Sequence, residues 1–364
     1  MVTVQMRTTN YMPNHKFNDD VRLDAADRQS VSERWPTLAT VLVNDELLEI
    51  FREHEQTAST NKNIVYVSGT AAVISLVCSL CVMLRQLADG PGGSEFSWPP
   101  HSLSAYLAAS GILLGLISSR YCPYRRRWLA SRFVTESLRA WHFSELLRAS
   151  DATGESGVAS DADEYRTDRR RRLKAFTSDL LATAASRMDR MREHGDTSVA
   201  TSTGGALRLA SVDASELAEA FRVLRLEHQL LYAMHKLSPD DRTVSGLPLV
   251  VLGQVTDLLA ALSLMAALCI AAAELVFGAP TSPSFALAFT VLGIGVRAWR
   301  DGLGLGADEL RYREYEFRLS VLKGEWDEMP DLGSRRRIMR ETEAAVADEL
   351  RAFLRAHEHA QYLF

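Results

Sequence analysis

The chain reads IVYVSGTAAVISLVCSLCVML from Ile64 to Leu84, a stretch of 21 residues without a charged side chain. As an α-helix it would be about 31 Å long, which matches the roughly 30 Å hydrocarbon core of a bilayer. It therefore predicts a membrane-spanning helix. A second apolar stretch, residues 101–119, follows two prolines that suit the first turn of a helix. We expect the two stretches to form a transmembrane hairpin.

A second pair of apolar segments lies between Leu247 and Val296. Its first run is too long for one crossing and contains Asp257. In one register the span is 258–278 and Asp257 lies at the inner interface. In the other, Asp257 lies near mid-bilayer, where an acidic side chain usually marks an ion path. The first register is favoured because its 21 residues match the bilayer thickness. The fourth span, 283–297, is short and must be tilted or shielded.

The distribution of basic residues predicts the orientation of both hairpins. The segment 86–119 contains neither Lys nor Arg, and the loop 278–284 is uncharged. Five arginines follow the second span closely: Arg120, Arg125, Arg126, Arg127 and Arg132. Because basic residues stay on the cytoplasmic side, we expect a multi-pass protein of the inner membrane with both termini and the central region in the cytoplasm.

The fold class that follows is an all-α integral membrane protein with two transmembrane helical hairpins, four spans in total, and cytoplasmic helical extensions. The segment 1–43 is expected to be disordered or loosely ordered, and 44–150 to form the first two-transmembrane unit. Residues 151–212 are expected to form a charged cytoplasmic helix and a flexible loop. The segment 213–364 holds the second unit and a C-terminal helix, and Asp213-x-x-Glu216 resembles a capping box at its start.

The overall composition and the motifs argue against several function classes. The net charge of −5 gives no reason to expect a nucleic-acid partner. No phosphate-binding glycine loop, nucleophile elbow or HExxH motif is present, so neither an enzyme nor a cofactor is expected. In His357-Glu358-His359, adjacent helical side chains point about 100° apart, which favours a solvated helix face over a metal site. His228 is expected to be a hydrogen-bonded core histidine.

Two sets of charged residues are candidates for function. Asp257 and Glu274 are possible pore or gate residues, although about 100° around the helix separates them, so they cannot both line one straight stripe. Possible lipid or ligand contacts are Arg125, Arg126, Arg127, Arg169, Arg170, Arg171 and Arg172. For the last four, a solvated helix with acidic neighbours is the favoured alternative.

Small residues recur four positions apart in three of the apolar segments. The stripes are Ala71, Ser75 and Ser79; Gly111, Gly115 and Ser119; and Ser263, Ala267 and Ala271. Such stripes allow helix backbones to approach closely in lipid. In a chain rich in Ala and Ser they also arise by chance, so close packing and coincidence remain equally open.

A basic and aromatic helix follows the first hairpin directly. It begins Tyr124-Arg125-Arg126-Arg127-Trp128 and continues with Arg132, Glu136, Arg139 and Trp141. The hairpin is preceded by His54-Glu55-Gln56-Thr57-Ala58. Over residues 40–150 this arrangement resembles the bacterial SLATT family of two-transmembrane domains. The second hairpin, followed by Asp308-Glu309-Leu310-Arg311 and Trp326, suggests a diverged second copy.

The resemblance implies a membrane effector that forms pores or disrupts the bilayer on a cytoplasmic signal in antiphage defence. Its expected partners are the lipid bilayer, further copies of the chain in a homo-oligomer, and a nucleotide-second-messenger system or cytoplasmic sensor protein. The alternative is a non-conducting membrane scaffold that recruits a cytoplasmic partner. A small transporter is the least favoured reading, because four spans with at most one polar site suit alternating access poorly.

Overall fold

The computed structural model of the chain describes residues 20–21, 25–89, 109, 123–151, 159–160, 162–194, 208–209, 213–239, 247–277 and 283–359. The secondary structure in these residues is helical, apart from two strands of two residues each. The strands, Ala159–Ser160 (β1) and Arg208–Leu209 (β2), pair in parallel. This confirms the all-α prediction.

The helices vary widely in length. They are α1 (Ala25–Arg34), α2 (Ala39–Leu42), α3 (Asp45–Asp89), α4 (Pro123–Asp151), α5 (Ala162–His194), α6 (Ala214–Phe221), α7 (His228–Leu237), α8 (Leu249–Phe277), α9 (Pro283–Leu303), α10 (Leu305–Glu328) and α11 (Leu332–His359). A π-helical segment, Arg222–Glu227, joins α6 to α7.

Two helical stretches are long and apolar enough to cross a membrane. They are Ala39–Val82, most of which is α3, and Leu249–Ala273 in α8. The predicted second span, 101–119, lies outside the described residues except for Ala109. The predicted fourth span lies in α9, which is helical but is not one of these two stretches. The structure thus bears out two of the four predicted spans by length and composition.

The start of α6 shows how local sequence sets a helix boundary. The carboxylate of Asp213 accepts a hydrogen bond from the Ser215 backbone N–H at 2.7 Å, which satisfies a donor that the helix itself cannot. Glu216 does not complete the capping box. Its carboxylate instead accepts from the Thr37 hydroxyl at 2.7 Å. The motif therefore caps the helix and also ties it to the N-terminal segment.

One hydrophobic core unites helices from all parts of the chain, and we call this part the helical body. It contains α1, α2, the first half of α3, α4 to α7, the second half of α10, and α11. Phe221 lies at its centre, edge-on to Phe143 of α4 and stacked on Trp326 of α10. Its helices come from each of the four segments that the sequence analysis separated.

The N-terminal segment belongs to this core. Trp35, Leu38 and Leu42 are among the most deeply buried side chains, and α1 and α2 are regular helices. The expectation of a disordered or loosely ordered segment over 1–43 is therefore wrong for the residues of it that the structure describes. The physical reason is that a few large apolar residues spaced along a polar stretch are enough to dock it on a core formed elsewhere.

The remaining helices form a separate apolar bundle. We use this name for residues 64–82 of α3 together with α8 and α9. Helix α9 packs against both α3 and α8, and it runs antiparallel to α8 because Arg300 pairs with Asp257 and Gly293 lies beside Leu264. A short connection through Gly304 leads from α9 into α10 and so into the helical body.

Candidate functional site: the apolar bundle and its junction with the helical body

Helix α8 has the opposite distribution of side chains from that of a surface helix in a soluble protein. Its outward residues are large and apolar: Leu258, Leu259, Leu262, Met265 and Leu268, the last of them 65% exposed. Leu249 and Leu252 at its start are buried, but beyond them its buried residues are small or weakly polar: Gly253, Thr256, Ser263 and Ala267. In water such a helix would turn its leucines inward, whereas in lipid there is no hydrophobic gain in hiding them and small residues allow close packing.

Glycines set the closest approaches within the bundle. A Cβ at Gly293 would lie 3.0 Å from Leu264 Cγ, and a Cβ at Gly295 would overlap the side chain of Val77. Helix α9 therefore touches α8 and α3 through positions where an added side chain would force a neighbouring side chain to move. Of the predicted small-residue stripes, Ser79, Ser263 and Ala267 are buried, Ala271 is exposed, and the Gly111 stripe lies outside the described residues.

One ion pair marks the end of the bundle next to the helical body. Arg300 Nη2 of α9 lies 3.1 Å from Asp257 Oδ2 of α8, and Asp257 keeps 58% of its side chain exposed. At nearly the same level Trp299 Nε1 donates to Thr70 Oγ1 at 3.0 Å. From Leu258 to Phe277 the helix then runs about 30 Å without a break, enough for one bilayer crossing.

The two predicted gate residues differ in what the structure shows. Asp257 faces Arg300 at the boundary of the bundle, and the register of α8 in a bilayer stays a prediction. The backbone of Glu274 is helical, but its side chain lies outside the described residues. Arg300 is thus the described partner of Asp257, and one turn earlier Glu309 Oε2 of α10 lies 3.9 Å from where a Cβ of Gly253 would be.

Gly304 forms the joint between the bundle and the body. It has a φ of 69°, the left-handed region that favours glycine, and it separates α9 from α10. Its N–H donates to Asp301 O at 3.0 Å and its carbonyl accepts from Asp308 N at 2.9 Å. The edge of the His357 ring from α11 lies against it, 3.3 Å from where a Cβ would be.

Aromatic rings gather around this joint. Trp128, near the start of α4, has its ring centroid 4.9 Å from that of His357 and 5.7 Å from that of Phe353. Tyr66, at the start of the apolar part of α3, meets Trp128 edge-on at 5.6 Å. We call Tyr66, Trp128, Gly304, Asp308, Arg311, Glu349, Phe353 and His357 the junction. It joins the first apolar helix, α4, the α9–α10 connection and α11 in one contact.

Buried charges complete the junction. Arg311 pairs with Asp308 at 2.8 Å and also with Glu349, and its guanidinium lies over the Phe353 ring. Burial raises the pKa of Glu349, although Arg311 opposes this. Burial would also raise the pKa of Asp308, but His357 and Arg311 outweigh it and hold that pKa below its usual range. These groups are held in place by one another.

The burial of His357 differs from the prediction made from the sequence. The His357-Glu358-His359 run was expected to lie on a solvated face, yet His357 is buried and its Nε2 lies 3.1 Å from Asp308 Oδ1. Burial lowers the pKa of His357, against the opposing effect of Asp308. No group of three or more possible metal ligands occurs among the residues that the structure describes. The other histidine, His228, is buried in the core as expected.

The arginines after the second span lie beside the junction. Arg126 and Arg127 are exposed, and Arg125 is partly exposed. They begin α4 one turn before Trp128, at the level where the bundle meets the body. Their contact with lipid, predicted from the sequence, remains a prediction.

The four consecutive arginines of α5 lie in the body and have protein partners. Arg169 is buried and donates to three carbonyls at the end of α2, those of Thr40, Val41 and Val43. Arg172 pairs with Glu145 at 2.7 Å and also with Asp168. The lipid or ligand role is therefore wrong for Arg169, because its guanidinium is enclosed and already bonded.

The middle two arginines of this run are exposed. Arg170 pairs with Glu46 at 2.5 Å, and Arg171 pairs with Asp168. They match the alternative of a solvated helix with acidic neighbours. The spacing of the run indicated a charged helix but could not show which of its faces meets α2.

Comparisons with known proteins give no relative. No family model, no curated protein and no solved structure matches the chain.

Proposed function

We propose that the chain is a membrane effector: the apolar bundle crosses the bilayer, and the helical body controls its arrangement from the cytoplasm. The observation that carries the proposal is the reversed surface of the bundle. Only 28% of the apolar window in α3 and 22% of that in α8 is buried, whereas the core helix of a soluble protein is mostly buried. Lipid is the environment in which such a surface is stable.

The positions of the described helix ends support a second crossing in the first hairpin. Helix α3 continues from Tyr66 to Asp89, about 35 Å beyond the junction. Helix α4 starts again at the junction, since Trp128 contacts Tyr66. The sequence between the two helices contains the uncharged segment 101–119, which is the proposed second crossing.

Orientation and assembly follow the basic residues and the packing. Arg125, Arg126 and Arg127 lie on the body side of the bundle, so the body is proposed to be cytoplasmic. Helix α9 lies in close contact with α8 at Gly293 and with α3 at Gly295, so these three helices pack on one another. We propose that a pore is formed between several copies of the chain, in a homo-oligomer.

The junction is proposed to be the coupling element. It is the place where the first apolar helix, the start of α4 and the α9–α10 connection share one set of contacts. A shift of α11 would move His357 against Gly304 and Trp128 together and so act on both hairpins. The resemblance to SLATT domains is what supports a cytoplasmic signal of antiphage defence as the cause of such a shift.

The test is dye release from liposomes that contain the purified full-length chain. Trp128→Ala removes the ring that three junction residues contact, and it is expected to increase leak over the unchanged protein. Phe176→Ala is the matched control, because it removes a buried ring of the body that stacks on Trp141, away from the junction.

Each outcome of the liposome experiment tests one part of the proposal. Protein that carbonate extracts from the liposomes would refute the membrane spans. Protein that stays inserted but leaks in neither form would refute the effector and favour the non-conducting scaffold. Equal leak in the two variants would refute the junction as the coupling element.

A further inference from the structure

A π-helical segment in the middle of the body aims a charged side chain into the core. In Arg222–Glu227 four consecutive residues, Val223, Leu224, Arg225 and Leu226, are buried, which a regular surface helix does not allow. Such wide turns are rare and occur frequently at functional sites. Here the turn buries Arg225 completely, with its guanidinium 4.6 Å above the Phe143 ring.

The N-terminal segment places a carboxylate against this arginine. Asp20 has no exposed surface, and its Oδ2 lies 2.7 Å from Arg139 Nε and 3.9 Å from Arg225 Nη1. Its Oδ1 lies 3.9 Å from His228 Nε2. His142 is buried as well, and the charge of Asp20 acts to raise its pKa against the larger effect of burial. Arg139, Arg225 and His228 thus lie around one carboxylate, and His142 interacts with its charge.

The Asp20 carboxylate does not reach every hydrogen-bond donor of this site. At 3.9 Å, neither Arg225 Nη1 nor His228 Nε2 is within hydrogen-bond distance of it. Among the described residues, Arg225 Nη1 and His142 Nε2 find no hydrogen-bond acceptor. A planar carboxylate on a short side chain cannot reach all of these donors. A tetrahedral oxyanion, with four oxygens and longer bonds, has the shape to do so.

The charge of the site also depends on Asp20. Arg225 forms a two-bond pair with Glu343, at 2.7 and 2.9 Å, and Arg139 donates to Glu136 at 2.6 Å. Arg132 also lies 2.7 Å from Glu136. Asp20 and these two glutamates are the carboxylates in ion pairs with the three arginines, and the charge of Glu55 also acts on Arg139. Loss of Asp20 would remove a buried negative charge from beside Arg139 and Arg225, which favours an anion in its place.

We propose that this buried cluster is a phosphate-binding site and that the Asp20 carboxylate stands in for the phosphate group of a small anionic ligand. The ligand enters in place of Asp20, and Arg139 and Arg225 bind its oxygens while His142 and His228 face it. The binding step involves no membrane, so it goes beyond the proposed function and can fail or succeed independently of it.

Charged side chains connect this site with the junction, partly through ion pairs and partly through longer-range charge interactions. Glu136 bridges Arg139 and Arg132; burial would raise its pKa, but the two arginines lower it to about 2. Arg132 is in turn affected by the charge of Glu349, which pairs with Arg311 beside Asp308 and His357. Exchange of Asp20 for a ligand therefore changes the charges at the start of a series that ends at Gly304.

The test measures binding of inorganic phosphate to the full-length chain in detergent. Asp20→Ala opens the site and is expected to bind phosphate at least tenfold more tightly than the unchanged protein, with a Tm that rises as phosphate is added. Asp45→Ala is the matched control, because Asp45 is an exposed aspartate that pairs with Arg28 at the surface. Asp20→Asn, which keeps the shape of the side chain, repeats the measurement if the alanine variant does not fold.

Further binding measurements identify the class of anion that the site prefers. Sulfate should act like phosphate, whereas acetate should be weaker and chloride at equal ionic strength should have no effect. Adding Arg225→Lys to Asp20→Ala should abolish the phosphate effect, since lysine lacks the extended guanidinium that pairs with Glu343 through Nε and Nη2 and faces the site with Nη1. Phosphate that stabilises neither Asp20 variant more than Asp45→Ala, or acetate that exceeds phosphate, would overturn the proposal.

Discussion

Replacing Gly304 with alanine tests whether the α9–α10 joint is held in its observed conformation. A residue with a Cβ in the left-handed region is destabilised by about 1 to 2 kcal/mol. The structure adds a contact, because the new Cβ would lie 3.3 Å from His357 Cε1 and 3.5 Å from His357 Nδ1, so the ring must shift slightly. We therefore expect Gly304→Ala to lower the free energy of unfolding by about 1 to 2 kcal/mol.

Gly324 provides a matched control in the next helix. It lies inside α10, and no atom is within 4 Å of where its Cβ would be. There alanine should stabilise the helix by about 0.5 to 1 kcal/mol, so the same substitution has the opposite sign at the two sites.

The assay is thermal unfolding of the purified variants in detergent. Unfolding entropy is about 2.1 cal/mol/K per residue, which for a chain of 364 residues that unfolds as one unit gives about 0.8 kcal/mol/K. The two variants should then differ in Tm by about 3 °C. A Gly304→Ala protein as stable as Gly324→Ala would refute the left-handed joint.

Two other predictions concern titration and the ion pair at the edge of the bundle. Burial lowers the pKa of His142 to about 4, so the folded state favours the neutral ring; stability should be full above about pH 6.5 and fall as the pH falls towards 4. The measurement is Tm as a function of pH. His142→Gln should reduce the fall of Tm at low pH, whereas the same substitution at the partly exposed His235 should leave that fall unchanged. An unchanged pH dependence of Tm in His142→Gln would contradict the assignment. Asp257→Arg should lower Tm by placing two cations within reach of each other, an effect of about 1 kcal/mol or less because the pair is partly exposed. Adding Arg300→Asp should restore the Tm, and a double variant no better than the single one would show that the pair does not form.

The sequence predicts best where one physical effect dominates. The uncharged run from Ile64 and the run through Leu258 both form long helices with exposed apolar surfaces, because hydrophobicity and length alone decide this outcome. The cap at Asp213 and the burial of His228 were also confirmed. In each case the deciding neighbours lie within a turn or two along the chain, where periodicity and capping rules apply.

The sequence fails where partners come from far along the chain. Arg169 looks like one of four equivalent arginines, and only its fold partner, the end of α2 some 130 positions earlier, distinguishes it. The sequence predicts a solvated His357, whereas in the structure Trp128 and Gly304 lie against its ring. The π turn at Arg225 has no local signature, since it depends on the core that the turn enters.

The buried charges point to a function because they weaken the case for stability alone. Removing carboxylates and guanidiniums from water is unfavourable, and well-packed apolar residues usually serve a core as well or better. Yet the body buries Asp20, Glu136, Arg139 and Arg225, while large apolar side chains face outward on the neighbouring bundle. Ion pairs of this kind have alternative arrangements, whereas a packed apolar core has one, so these buried charges are where an incoming anion would act most strongly on the structure. Because Arg132 and Glu349 connect these charges with the glycine joint, a rearrangement of the ion pairs would also move the apolar bundle.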